Sequence, residues 1–232
     1  MENILECHNV TKRYGNKVAI DNLSVSVRSG KITGLLGPNG SGKTTLIKII
    51  AGILNTDEGD VFAGGIKIGT GSKKIVSYLP ERPYFTPGMK VSETIKFFSD
   101  FYNDFSSDAA EGMLKSLDIS LDARIRTLSK GNREKVQLVL VMSRKAKLYL
   151  LDEPMGGVDP AARDFILKTI LKNYNENAGV IISTHLISDV EKVLDDVIFI
   201  KKGKMMLHES VDDIRSSKGK SVDALFREVF AC

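Results

Sequence analysis

The sequence predicts an α/β chain, a parallel or mixed sheet covered by helices, and three observations carry that expectation. Short runs rich in β-branched residues alternate with longer stretches of helical periodicity, the pattern of strands joined by covering helices. Between about residues 82 and 145 the strand signals vanish, and aromatic and acidic residues at helical spacing replace them. The composition is that of a globular protein: 232 residues, 42% hydrophobic and 27% charged, enough chain to bury a sizeable core without disulfide staples.

In chain order, the apolar runs at 4–9, 23–27 and 32–36 are candidate strands. Leu46, Ile49, Ile50 and Ile53 then recur at i, i+3, i+4 and i+7, which predicts a helix after Lys43 with a core-facing stripe. A strand at 76–79 follows, and Pro80, Pro83 and Pro87 mark the entry to the segment 82–145. There Phe97, Phe98, Phe101 and Tyr102, then Met113, Leu114 and Leu117, read as helices inserted between two core strands. A helix at 132–142 leads to strands at 148–151, 180–183 and 197–200. The stripe Val222, Leu225, Phe226, Val229 and Phe230 ends the chain as a core-facing helix. No internal repeat or low-complexity linker interrupts the pattern, so the whole chain, 1–232, reads as one domain carrying the insertion.

Charge and cysteine usage narrow the function classes. Lys and Arg number 33 against 29 Asp and Glu, a net +4 spread along the chain rather than gathered into a nucleic-acid surface. Cys7 and Cys232 stand at opposite ends with no metal-ligand spacing, as free thiols of a reducing compartment would. The start carries no signal-peptide pattern, and apolar stretches such as 138–142 and 197–200 fall far short of the roughly 18 residues a membrane span requires. The expectation is a cytoplasmic protein that does not bind nucleic acid.

The strongest motif is Gly37-Pro38-Asn39-Gly40-Ser41-Gly42-Lys43-Thr44, which fits G-x-x-x-x-G-K-[ST] between a strand and a helix. Glycines let successive backbone N–H groups turn inward around a phosphate, and the helix that follows presents the positive end of its dipole. Lys43 adds a mobile cation for the terminal phosphates, and the Thr44 hydroxyl can ligate Mg²⁺. Farther on, Leu148-Tyr149-Leu150-Leu151-Asp152-Glu153-Pro154 is an apolar strand ending in two carboxylates. A buried parallel strand delivers such residues to the carboxyl edge of the sheet, where α/β proteins bind ligands. There Asp152 can hold Mg²⁺ and Glu153 can act as general base on an attacking water. Taken alone, Asp-Glu-Pro also fits a simple turn after a strand, the lesser of the two readings.

With these motifs on one chain, the sequence resembles the nucleotide-binding subunit of an ATP-binding cassette (ABC) transporter over essentially its whole length. Four further elements follow the family's order. Tyr14, in Lys12-Arg13-Tyr14-Gly15, matches the aromatic that stacks on adenine. Leu128-Ser129-Lys130-Gly131-Asn132 resembles the family signature, Gly157-Val158-Asp159 the D-loop, and Ser183-Thr184-His185 the switch-histidine motif. The resemblance implies a P-loop NTPase core with a mixed sheet, an N-terminal antiparallel β subdomain and an inserted α-helical subdomain. It implies ATP and Mg²⁺ as ligands: Gly37, Asn39, Gly40, Ser41, Gly42, Lys43, Thr44 and Thr45 around the phosphates, and Thr44, Asp152 and Glu81 at the metal. It makes Glu153, His185 and Lys43 the catalytic set, with His185 sensing the γ-phosphate, and assigns Ser129, Gly131, Asn132 and Asp159 to ATP shared across a dimer. The implied partners are a second ATPase subunit, the same chain or a different one, and a separately encoded integral-membrane permease that holds the chain at the inner face of the cell membrane.

Two departures stand out. Where the family has a glutamine after the strand at 76–79, this chain has Glu81, which adds a charge near the metal position. In the signature, Lys130 replaces glycine and Asn132 replaces glutamine, and a cation at a helix start opposes the dipole. Similar variants occur in subunits resembling drug- and peptide-exporter ATPases, which points toward export. The alternative is a non-transport ABC ATPase of translation or DNA repair, whose usual tandem cassettes, coiled coils and zinc motifs this sequence does not carry.

Overall fold

A computed structural model describes residues 2–156, 160–175 and 177–230. The chain opens with a long antiparallel hairpin, β1 (Asn3–Tyr14) and β2 (Lys17–Arg28), then runs through β3 (Ile32–Leu36) into α1 (Lys43–Ile50). β4 (Glu58–Ala63), β5 (Ile66–Lys67) and β6 (Val76–Leu79) follow. Between β6 and the next strand lie three helices, α2 (Val91–Phe101), α3 (Ser107–Ser116) and α4 (Lys130–Met142). β7 (Leu148–Asp152), α5 (Pro160–Asn173), β8 (Gly179–Thr184) and α6 (Ile187–Val190) return to the core. β9 (Asp196–Lys201), β10 (Lys204–Ser210), α7 (Val211–Lys218) and α8 (Val222–Phe230) complete it.

Two sheets result. A four-stranded antiparallel sheet has the order β2-β1-β4-β5, and a six-stranded sheet the order β10-β9-β3-β8-β7-β6. In the larger sheet only β10 runs antiparallel. Its central strands are buried on both faces, which is why they read as unbroken apolar runs. Alternate residues serve opposite layers. Leu35, Leu148, Leu150, Ile181 and Ile198 face α1 and the antiparallel sheet. Leu36, Tyr149, Leu151, Val180, Ile182 and Phe199 face the other way, toward α5 and the C-terminal helices. The inserted helices bury a core of their own around Val91, Ile95, Phe98, Leu114, Val136 and Leu140. Among the described residues, no helix is long and apolar enough to cross a membrane.

The elements depart from the sequence expectation in instructive ways. β1 and β2 run well past the expected 4–9 and 23–27, because their outer ends pair as a hairpin with polar residues on the exposed positions. β4, β5 and β10 were not foreseen; they are short or half-exposed, rich in Glu, Gly and Lys, and lack a β-branched run. Ile53 does not extend the stripe of α1: the helix ends at Ile50, Gly52 turns the chain at φ 67°, and Ile53 is left 60% exposed. Cys7 is a buried free thiol, whereas Cys232 lies outside the described residues.

Candidate nucleotide site

The carboxyl ends of β3, β7 and β8 lie side by side, with Leu36 paired to Thr184 and Asp152 to Ser183. The glycine-rich loop, the two carboxylates and His185 therefore emerge at one sheet edge. Residues 37–42 wrap from β3 into α1. Gly42 caps the helix at φ 113°, and a Cβ there would stand 2.6 Å from the Ala19 carbonyl oxygen; at Gly37 it would stand 2.3 Å from the Ile200 carbonyl oxygen. Both positions need glycine so that the loop can press against β2 and β9.

Lys43 is buried and donates from Nζ to the carbonyls of Gly37 (2.8 Å) and Pro38 (3.5 Å), with Glu153 Oε1 at 3.8 Å. Burial lowers its pKa from the ordinary lysine value, and the Glu153 and Asp152 carboxylates pull it back up. The Asp152 carboxylate accepts at Oδ1 from Ser183 Oγ (2.6 Å) and Thr44 Oγ1 (3.2 Å). Its pKa is raised, first by desolvation, against the two hydroxyl bonds, with Glu81 raising it further and Lys48 lowering it. Among the described residues, Oδ2 of the same carboxylate is buried with no hydrogen-bond partner, and so is Ser41 Oγ within the loop.

Glu153 sits in the left-handed region at φ 49°, an uncommon conformation for a non-glycine residue, and its N–H is held by the Ser183 carbonyl (3.0 Å) and hydroxyl (3.1 Å). This turn aims the carboxylate at His185, whose Nδ1 lies 2.9 Å from Oε2. Glu153 thus bridges His185 and Lys43.

Lys43, Thr44, Glu153 and His185 line a cleft of about 1050 Å³, just above the roughly 300–1,000 Å³ of small-molecule sites, whereas Asp152 and Ser183 are buried behind its wall. Tyr14, half exposed at the end of β1, stands on its wall with Lys17 and Ala19. Asn39, Gly40, Ser41, Gly42, Lys43, Thr44, Thr45, Glu81, Glu153 and His185 line it as well. From α4 come Lys130, Arg133 and Glu134, with Lys130 Nζ 3.8 Å from Glu134 Oε1. Ser129, Gly131 and Asn132 are not on this wall: Ser129 caps α4, accepting at Oγ from the Asn132 N–H at 3.2 Å. Gly37 lies behind the loop, and Asp159 falls outside the described residues.

Sequence reasoning missed Ser183 as the hydroxyl joining Asp152 to the Glu153 backbone, although its place at the end of β8 beside β7 was the available signal. Lys17, Arg133 and Glu134 were missed too, since no motif singles them out.

The cleft fits a phosphate ester carried with a divalent cation. Asp152 Oδ2 and Thr44 Oγ1 are hard oxygen donors of the kind Mg²⁺ prefers. Among the described residues no group of three or more His, Cys, Asp or Glu side chains could hold a metal ion. This fold and site define a nucleotide-binding α/β protein of the glycine-rich phosphate-loop kind. Residues 20–156 match the family model described as ABC transporter, and the chain belongs to that family. It is 32% identical to the ABC transporter ATP-binding protein YdbJ of Bacillus subtilis (strain 168), over 95% of this chain and 74% of the relative. It is 31% identical to the SkfA peptide export ATP-binding protein SkfE of the same organism, over 88% and 87%. A solved structure of an ATP-binding subunit of an ABC transporter superposes with a TM-score of 0.87 at 26% identity, covering 97% of this chain and 99% of that one.

Proposed function

We propose that the chain binds and hydrolyses ATP as one half of a paired engine that drives a separately encoded membrane permease, with export its direction. The observation that carries the reading is the Lys43–Glu153–His185 chain, one carboxylate 3.8 Å from a buried lysine and 2.9 Å from an imidazole, beside the phosphate loop. In this reading Tyr14 stacks on the adenine, and the loop amides with Gly40, Gly42, Lys43, Thr44 and Thr45 hold the phosphates. Thr44, Asp152 and Glu81 would hold Mg²⁺, which when bound neutralises phosphate charge. Glu153 takes the proton from an attacking water and His185 orients its carboxylate. Lys43 leaves its backbone carbonyls for the terminal phosphates and stabilises charge there. Ser129, Gly131, Asn132 and Asp159 face the ATP of the second subunit; the place of Ser129, Gly131 and Asn132 off the wall of this chain's cleft suits that role.

The peptide-export name of SkfE favours an exporter. Exposed Ile53, Tyr84, Phe97 and Phe101 favour a permease seated between the core and the inserted helices, a position that keeps the protein at the membrane without entering it. Glu153→Gln tests the chemistry: it should retain ATP binding, lose at least about a hundredfold in turnover, and accumulate as a dimer on gel filtration with ATP. Turnover near the wild-type rate would remove Glu153 from the base role.

A further inference from the structure

On the reading that the cleft holds ATP, we propose that Lys17 is a further nucleotide-binding residue, its ammonium paired with the α-phosphate. Three observations locate it. Lys17 is the Cα partner of Tyr14 across the β1–β2 hairpin, so the lysine stands beside the ring assigned to the base. Two residues on in β2, where the pairing with β1 skips Ala19 between Val18 and Ile20, the Ala19 backbone meets Gly42 of the phosphate loop. Tyr14, Lys17, Ala19, Gly42 and Thr44 line one continuous wall. A nucleotide with its base on Tyr14 and its terminal phosphates in the loop must lay its sugar and α-phosphate along the stretch between, where Lys17 stands.

Charge supports the same assignment. Lys12, whose Nζ is 6.0 Å from the centre of the Tyr14 ring, is committed to Asp57 at 2.7 Å. Lys17 makes no ion pair or side-chain hydrogen bond among the described residues, and its flexible four-carbon stem leaves the ammonium free to meet an anion. Between the two groups available on that stretch, a cation favours the phosphate over the sugar hydroxyls.

Calorimetric titration of the whole chain with ATP, ADP and 2′-deoxy-ATP, on wild type, Lys17→Ala and Lys17→Arg, tests this. Lys17 is exposed, so both variants should fold as the wild type does. The alanine variant should raise the Kd for all three nucleotides by one common factor of about three to ten, and arginine should recover most of it. An unchanged Kd, a loss confined to ATP, or a loss that disappears with 2′-deoxy-ATP would each overturn the assignment, the last two by moving the contact to the terminal phosphate or the ribose. Failure of the wild type to bind any of the three would instead overturn the ATP reading on which the proposal rests.

Discussion

Asp152 is a carboxylate held where water does not reach one of its oxygens. Two hydroxyls satisfy Oδ1, no group among the described residues satisfies Oδ2, and desolvation raises the pKa. The folded state therefore keeps this proton longer than the unfolded chain, so the group costs stability as pH rises through the window from the ordinary carboxylate range to the raised folded value, and the full cost is present above it. Asp152→Asn should flatten that slope and raise the unfolding midpoint by a few degrees at neutral pH, while weakening Mg²⁺-dependent nucleotide binding; thermal melts across pH, with and without MgATP, measure both. A melting point that falls at neutral pH would show that the oxygen is compensated in a way the geometry does not reveal. Much of the site at this scale was readable in advance. A phosphate cradle demands glycine, lysine and a hydroxyl at fixed spacing, and a carboxylate pair at a strand end is equally local. Ser183 was not readable, because a serine bonding across two strands leaves no spacing of its own.

At the scale of elements, Arg144 fastens the inserted helices to the sheet. Its side chain is buried and ion-paired to Asp104, from the turn between α2 and α3, through Nε at 3.0 Å and Nη2 at 3.1 Å. It also donates to the carbonyls of Val76 (2.6 Å) and Lys74 (2.9 Å) and lies 3.8 Å from the centre of the Tyr102 ring. Tyr149 in turn donates to the Arg144 carbonyl at 2.5 Å. One guanidinium thus spans β6, the residues just before it and the α2–α3 turn, which the planar fork allows, while the Arg144 carbonyl is held from β7. Arg144→Ala should cost about 2–4 kcal/mol in urea unfolding, and Arg144→Lys should recover little of it, since an ammonium concentrated at one point cannot reach acceptors spread along Nε, Nη1 and Nη2 of the fork. A loss below about 0.5 kcal/mol would mean the insertion is held by its apolar core alone. The insertion itself was legible in the sequence, because helical aromatics replace β-branched runs there. The clamp was not, since one arginine in a basic stretch looks like a surface residue until the fold buries it.

At the scale of the whole molecule, the phosphate loop is shaped from both ends of the chain. Gly203, between β9 and β10, sits at φ 78°, and a Cβ there would stand 2.6 Å from the Ala19 carbonyl, the same oxygen that crowds Gly42. Its N–H donates to the Ser41 carbonyl at 2.8 Å, and its carbonyl accepts from the Asp21 N–H at 3.0 Å. The N-terminal hairpin, the loop and the β9–β10 turn meet there backbone to backbone. Gly203→Ala should loosen nucleotide affinity severalfold while leaving every loop residue intact, which the same calorimetric titration would record; an unchanged Kd would show that β2 can give way. The contact also makes the Gly203 amide a natural reporter. A nucleotide that stiffens the loop tightens the Ser41 carbonyl against that amide. Slower deuterium uptake at Gly203, far along the chain from any phosphate, would register the arrival of ATP without a label in the cleft.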